Sequence, residues 1–399
     1  MFCYTEIDLT RQRRNGDNGF KQYNKRGIIV KEANYRPTVA AVKLEAIKRN
    51  VQNLKAYLKN NTEVIAVVKA DGYGHGEVET ARAAIEAGAI MVAVATPDEA
   101  VRLRDGGIRA DILVMGPSPA AFAAKALDDN ITVTVSDAGW IAQAAEILQG
   151  NQNKLKIHIK VDSGMGRIGL RSKEELQALL EEVERSGQFE IDGIFTHFAC
   201  ADEPDSCRTE EQFETFMAIV GAMPIKPRLV HASNSAATLL YPDFALDAVR
   251  FGISLYGVAP SPYTSTKLPF QLERAMSIET ELAYVKMLPK GNRISYGGTY
   301  ETSEDEWIGT IPVGYADGLR RGLRGQEVLI QGERMPIVGT ICMDQCMVRL
   351  PRELPVGEKV TLIGRQGEEE ILFEDWAEAL GTIPYEIMVS ISKRVPRIY

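Results

Sequence analysis

One count constrains this chain more than any other feature. From residue 40 to about residue 258, short apolar runs alternate with amphipathic stretches of helical period. Strands are predicted at Val64–Ala70, Met91–Thr96, Asp111–Gly116, Ile131–Ser136, Leu155–Asp162, Ile191–Phe198, Arg228–Asn234 and Ala248–Gly257. Continuous apolar runs of this length suit strands buried on both faces. Between them, helices are predicted at Glu45–Lys59, Val78–Ala87, Asp137–Leu148 and Lys173–Glu184, among others. Eight strand–helix units over roughly 220 residues predict an α/β fold, a (β/α)8 barrel of TIM type. A doubly wound sheet also alternates, but it more often has fewer strands. It would also not spread polar groups over so many strand ends. Here Lys69, Met115, Asp162, Arg167, His197, Asn234 with Ser235, and Arg250 lie at or just beyond those ends. A barrel builds its active site there.

After residue 270 the pattern changes. Strand-like segments at Glu279–Met287, Trp307–Val313, Glu327–Ile330, Pro336–Ile341, Met347–Leu350, Lys359–Ile363 and Glu370–Leu372 are separated by Gly, Pro and Asp turns. Asp375–Leu380 is the one clear short helix. These features predict a mostly β C-terminal domain. Pro260–Leu272 reads as the linker. Residues 1–35 are polar, turn-rich and basic, as in Arg11-Gln-Arg-Arg14, and are expected to be a loose extension. The expected division is therefore 1–35 extension, 36–270 barrel and 271–399 β domain.

Composition narrows the partners. A net charge of −8 over 399 residues argues against nucleic acid. No apolar run approaches the roughly 20 residues that cross a bilayer, so no membrane partner is expected. Cys3, Cys200, Cys207, Cys342 and Cys346 are odd in number and match no usual zinc spacing. They are expected to be free thiols in a reducing cytoplasm, with no metal. Met1 to Thr10 lacks the basic start and apolar core of a secretory signal.

The chemistry concentrates in Val64-Ile-Ala-Val-Val-Lys69-Ala-Asp-Gly-Tyr73-Gly-His-Gly76. A buried strand ends on a lysine and a glycine-rich turn follows. An amine held by dry walls loses proton affinity and becomes a nucleophile toward aldehydes. Glycines 72, 74 and 76 are expected to let backbone N–H groups approach an anion. An amine and an anion cradle together suit pyridoxal phosphate. A snorkelling lysine before an ordinary turn reads the same way, so this segment alone leaves both readings open.

Further motifs close the choice by resemblance. They include Val161-Asp-Ser-Gly-Met-Gly-Arg167-Ile-Gly, Thr196-His197-Phe-Ala, His231-Ala-Ser-Asn-Ser235-Ala-Ala and Val249-Arg250-Phe-Gly-Ile253. Later come Ser295-Tyr296-Gly-Gly-Thr-Tyr300, Val313-Gly-Tyr315-Ala-Asp-Gly, Gly339-Thr-Ile-Cys-Met343-Asp344-Gln, Pro384-Tyr385-Glu and Arg394-Val-Pro-Arg. In this order and spacing, residues 36–399 resemble the alanine racemases, a family of fold-type III pyridoxal phosphate enzymes.

The resemblance implies interconversion of L- and D-alanine by two bases, supplying D-alanine for peptidoglycan. Lys69 carries the cofactor and is one base; Tyr296 is the other, on the opposite face of the substrate Cα. His197 links that tyrosine to Arg250, which meets the pyridine nitrogen. A cation there keeps the nitrogen unprotonated and weakens the ring as an electron sink, which limits transamination and decarboxylation. The phosphate is expected on Tyr73, Ser235, the backbone of Gly252 and Ile253, and Tyr385. Arg167 is expected to reach the cofactor's phenolic oxygen and, with the Met343 backbone, the substrate carboxylate. Lys160 matches a lysine carried as a carbamate in many members, an ordinary lysine being as consistent with residue type. The family assembles as a head-to-tail homodimer with shared sites. Gly72, Gly298 and Thr340 depart from common family residues, and Thr340 leaves the charge of the entry corridor open. The rivals are a serine or broad-specificity racemase, a decarboxylase with an acidic residue in place of Arg250, and a single-barrel cofactor-homeostasis protein lacking the β domain.

Overall fold

The computed structural model describes residues 35–399, preceded by a two-residue ladder that pairs Gln22–Tyr23 with Ile29–Val30. The remaining residues of the expected N-terminal extension lie outside the described residues. The chain divides into two compact units.

The larger unit holds the barrel. Its strands are β1 Glu63–Val67, β2 Met91–Val94, β3 Asp111–Pro117, β4 Ile131–Val135, β5 Leu155–Lys160, β6 Phe189–Phe195, β7 Leu229–His231 and β8 Ala248–Phe251. Neighbours pair in parallel in the order β7-β6-β5-β4-β3-β2-β1-β8. Backbone bonds from Arg250 N–H to the Ser233 carbonyl (3.0 Å) and from Asp247 N–H to the Val230 carbonyl (3.0 Å) bring β8 against β7 and nearly close the ring. The apolar runs are buried as their composition requires: Val64, Ile65, Ala66, Val92 and Leu113 have no exposed surface. Helix ends are set locally. Ser172 accepts a bond from Glu175 N–H (3.1 Å) at the start of Lys173–Ser186, and Gly187, at φ 67°, ends that helix in the left-handed conformation that glycine tolerates best.

A single cut at residue 270/271 does not describe the division. The barrel unit runs on to Ser277 and also takes Ile371–Ser392 and Arg397–Tyr399 from the far end of the chain. Two helices, Phe373–Leu380 and Pro384–Ser390, lie in that returning segment. The second is one that periodicity missed, being two turns long. Arg274 pairs with Glu374 (2.9 Å), and Arg397 Nε donates to the Gly74 carbonyl (2.7 Å).

The smaller unit is an antiparallel sheet. Its strands follow the order Tyr284–Leu288, Glu306–Ile311, Cys346–Leu350, Glu333–Val338, Glu327–Ile330, Lys359–Gln366 and Met276–Glu281. The single strand expected at Glu279–Met287 is two. At Leu282, N–H donates to the Glu358 carbonyl, whereas at Ala283 it donates to the Thr310 carbonyl, so the chain changes partners between them. Ile294, Ile308 and Val338 form a buried cluster with Leu288, Tyr300 and Met347 against it.

Candidate active site

The turn after β1 is strained. Ala70, Asp71, Gly72 and Tyr73 are consecutively left-handed, with φ between 50° and 61°. L-residues avoid this region at a cost of roughly 1–2 kcal/mol each. Hydrogen bonds hold it: Gly72 N–H to the Val68 carbonyl (2.9 Å), Gly74 N–H to the Ala70 carbonyl (3.0 Å) and Ala70 N–H to Glu99 Oε1 (2.8 Å). A side chain at residue 74 would put its Cβ 2.5 Å from the Met388 carbonyl oxygen, which explains that glycine. The expectation that glycines 72, 74 and 76 offer N–H groups to an anion is corrected. Gly76 N–H is also bound, to the Asp71 carbonyl (2.9 Å), so all three are spent inside the turn. What the turn presents instead is Lys69 at its start and Tyr73 at its end. Burial lowers the proton affinity of the Lys69 amine, and the Arg167 charge lowers it further.

A polar cradle lies beside this turn. Ser235 opens the helix Ser235–Leu240, which Asn234 caps by accepting from Ala237 N–H (3.0 Å). Gly252 N–H donates to Ser235 Oγ (2.8 Å). A Cβ at Gly252 would sit 2.8 Å from the Tyr73 hydroxyl and 3.6 Å from Ser235 Oγ, so only glycine lets the backbone approach these two hydroxyls so closely. Ile253 begins the adjoining 3-10 turn Ile253–Tyr256. Tyr385 packs against Tyr73 with ring centroids 6.1 Å apart. Burial raises both phenols well above their ordinary value, so they stay neutral and donate. Neutral hydroxyl donors grouped beside an amine of lowered proton affinity suit a phosphorylated aldehyde such as pyridoxal phosphate.

Arg250 leaves β8 into the barrel and is 2% exposed. Nη1 donates to His231 Nδ1 (2.9 Å); Nη2 donates to the carbonyls of Thr196 and Ala232 (both 2.8 Å) and faces His197 Nδ1 at 3.3 Å. Nε makes none of these bonds. Burial lowers the guanidinium to about 9, with repulsion from Arg167 added, and it remains a cation at neutral pH. Burial, then Arg250, push His197 well below the usual imidazole range. A neutral His197 whose Nδ1 accepts from Arg250 carries its proton on Nε2. Lys160 Nζ donates to the Val161 carbonyl (2.6 Å), and burial followed by Arg250 lowers its amine to about 7. Arg167 is exposed, on a loop folded by bonds from Gly164 and Gly166 N–H to Asp162 Oδ1 (3.2 and 2.9 Å).

The barrel unit thus gathers Lys69, Tyr73, Lys160, Arg167, His197, Ser235, Arg250, Gly252, Ile253 and Tyr385. The other two candidates lie in the β unit. Tyr296 follows Ser295, which has φ 65°, and its carbonyl accepts from Thr340 Oγ1 (2.9 Å). Ser295 Oγ donates to the Thr340 carbonyl (2.5 Å). Tyr296 is 74% exposed and Met343 52%. Sequence reasoning missed Glu99, whose carboxylate also accepts from Ala95 and Thr96 N–H, although Thr96-Pro-Asp-Glu99 is a capping-box signature. It also missed His158 and Asp192, and gave His231, quoted only as the start of a motif, no role. A histidine inside the apolar strand Leu155–Lys160 was the available signal. Among the described residues, no group of three or more His, Cys, Asp or Glu is arranged to hold a metal, and no helix is long and apolar enough to cross a membrane.

Comparison with known proteins adds an independent line. The family described as Alanine racemase, N-terminal domain matches residues 42–260, and Alanine racemase, C-terminal domain matches residues 275–399. The chain is 48% identical to the alanine racemase of Geobacillus stearothermophilus over 92% of this chain and 94% of that protein. It is 45% identical to alanine racemase 1 of Bacillus subtilis over 92% and 93%. The crystal structure of alanine racemase from Bacillus anthracis with bound L-Ala-P superposes with a TM-score of 0.88 at 46% identity, covering 92% and 96% of the two chains. A histidine racemase from Leuconostoc mesenteroides superposes with a TM-score of 0.87 at 34% identity, covering 92% and 99%.

Proposed function

Because the chain belongs to the alanine racemase family, we propose that it interconverts L- and D-alanine with pyridoxal 5'-phosphate as cofactor. The observation that carries this is the grouping of the Lys69 amine, the hydroxyls beside Gly252 and the buried Arg250 in one barrel mouth. When bound, the cofactor supplies an electron-withdrawing ring that acidifies the substrate Cα–H. Lys69 would be its point of attachment, and Tyr73, Ser235, Tyr385 and the Ile253 backbone would hold its phosphate, with Gly252 N–H joining them only by leaving Ser235 Oγ, to which it donates here. Arg250 offers the pyridine nitrogen a donor and no acceptor, so that nitrogen stays unprotonated.

The residues then move one proton. One base removes it from one face of Cα and a second returns a proton to the other, and fixed bases need no movement of the substrate. Lys69 serves one face. Burial favours its neutral form, the form that accepts a proton. Tyr296 serves the other. A phenol is ordinarily protonated at neutral pH and is a poor base in that form. The His197 Nε2–H, fixed by the bond from Arg250 to Nδ1, would donate to the phenolate and favour it. Arg167 and the Met343 N–H hold the substrate carboxylate. Lys160, near half neutral at pH 7, is suited to take up CO2, and the resulting carbamate would orient Arg167.

The exposure of Tyr296 and Met343 in the single chain supports a head-to-tail homodimer in which each β unit caps the other subunit's barrel. The cytoplasm is the expected compartment and peptidoglycan D-alanine the expected product. A decarboxylase is disfavoured by Arg250, and a single-barrel binding protein by the matched C-terminal domain. Broad specificity is a second reading, favoured by the histidine racemase that shares the fold. Tyr385, crowding the cradle beside Tyr73, favours a small side chain. The test is optical. Pure protein should show the visible band of bound cofactor and remove the rotation of L-alanine faster than that of L-serine or L-histidine. A protein that binds the cofactor but racemises none of the three contradicts the proposal.

A further inference from the structure

Four side chains lead from Arg250 away from the substrate, through the barrel core. His231 Nδ1 accepts from Arg250 Nη1 (2.9 Å), and His231 Nε2 faces His158 Nδ1 at 3.0 Å. His158 Nε2 faces Asp192 Oδ2, also at 3.0 Å. Arg228 closes the row, with Nε on Asp192 Oδ1 (2.7 Å) and Nη2 on Oδ2 (2.8 Å). His158 and His231 have no exposed surface. A barrel interior is ordinarily filled by branched aliphatic side chains, and two imidazoles in that place need room and partners.

Room has been made for them. His158 lies opposite Gly193 on the neighbouring strand, and a Cβ there would fall 2.6 Å from the His158 ring. Phe195 stacks on His231 at 4.8 Å with planes 2° apart, and the Arg250 guanidinium lies 5.3 Å from the same ring.

Both ends fix the direction of the row. Arginine only donates and an ionised carboxylate only accepts. Burial would raise Asp192, but the bonds from His158 and Arg228 outweigh it and hold the carboxyl well below the usual range. His231 must therefore accept at Nδ1 and donate from Nε2, and His158 must do the same. A second proton on either ring would set two N–H groups against each other.

We propose that Asp192, His158 and His231 are positioning residues: a one-directional hydrogen-bond row that holds the Arg250 guanidinium in place from the far side of the barrel. The inference rests on the racemase reading for its effect on catalysis, but not for the row itself. The row and the His231 carbonyl occupy Nη1, while the two Nη2 N–H groups serve the Thr196 and Ala232 carbonyls, one of them shared with His197 at 3.3 Å, so Nε is the donor left for an acceptor in the barrel mouth. Any slackening of the row would move Nε and disturb His197 together. The essential element at residue 192 is an acceptor aimed at His158, and the negative charge serves to secure it.

The chain has four histidines, which makes the test practicable. In the 15N-histidine-labelled holoenzyme, His158 and His231 should each show a neutral ring with the proton on Nε2. Asp192→Leu removes the acceptor. It should cost His158 its single tautomer, lower kcat about tenfold with KM within about twofold, and raise the pyruvate released per racemisation event. The pair Asp192→Asn with Arg228→Gln keeps an oxygen toward His158 and gives the new amide an acceptor. It should restore the tautomers and most of kcat. A role in stability alone predicts that both variants melt lower while kcat and the pyruvate ratio stay with the parent. A proton on Nδ1 of either ring in the parent rejects the row outright, whether or not any variant folds. So does a double variant as impaired as Asp192→Leu. A parent that shows the tautomers but fails to racemise alanine leaves the row standing and sinks the racemase reading instead.

Discussion

Lys160 offers the most quantitative test of the site. Its amine is buried beside Arg250, and its proton affinity falls from the ordinary 10.5 to about 7. That gap corresponds to about 5 kcal/mol. The sign follows from proton counting. Between pH 7 and 10.5 the unfolded chain holds this proton and the folded one does not, so unfolding takes up a proton and stability rises with pH. Below pH 7 both states are protonated and the full penalty is present. From pH 7 to pH 9 the relief amounts to about 2 kcal/mol for this one group. Lys160→Met removes the titrating group and keeps the volume. The parent should therefore gain about 2 kcal/mol more than the variant between pH 7 and 9, measured by urea denaturation in CO2-free buffer at constant ionic strength. Parallel pH profiles would refute the buried-amine account. With 13C-bicarbonate added, the parent and not the variant should show a carbamate carbonyl signal, because near pH 7 about half of this amine is neutral, against roughly 0.03% for an ordinary lysine.

Lys69→Ala should lose the visible cofactor band and racemisation, and borohydride should fix the cofactor to Lys69 in the parent; a label on another lysine would move the site. Gly252→Ala should weaken cofactor binding at least tenfold by equilibrium dialysis, since its Cβ would press on the buried Tyr73 hydroxyl; binding as tight as the parent's would speak against a phosphate site there. Arg250→Glu should raise the ratio of pyruvate formed to alanine racemised; an unchanged ratio speaks against the account of Arg250. Mixing Lys69→Ala with Tyr296→Phe subunits should restore roughly a quarter of parent activity, because random pairing makes about half the dimers mixed and each has one intact site; no recovery after verified subunit exchange rules out shared sites.

How much of this was legible beforehand depends on the range of the interaction. The barrel was legible because a strand buried on both faces needs a continuous apolar run, and that requirement is written locally, as at Val64–Val68 and Met91–Val94. Lys69, His197, Arg250 and Tyr385 were singled out by the family resemblance of their neighbours, and all four fall in the barrel unit. Other features belong to the tertiary structure alone. The glycines after Lys69 looked like an anion cradle, yet the left-handed turn consumes their N–H groups and leaves the Tyr73 and Ser235 hydroxyls beside Gly252 as the neighbouring donors. The residues around 371–392 looked like the end of the β domain, yet they pack with the barrel and bring Tyr385 to Tyr73. His158 meets His231 seventy-three positions away. Chain-local patterns record whether a residue is buried. Which buried polar group meets which is decided only when the ring of strands closes, because that closure sets residues distant in the chain within hydrogen-bonding distance and removes the water that would otherwise satisfy them.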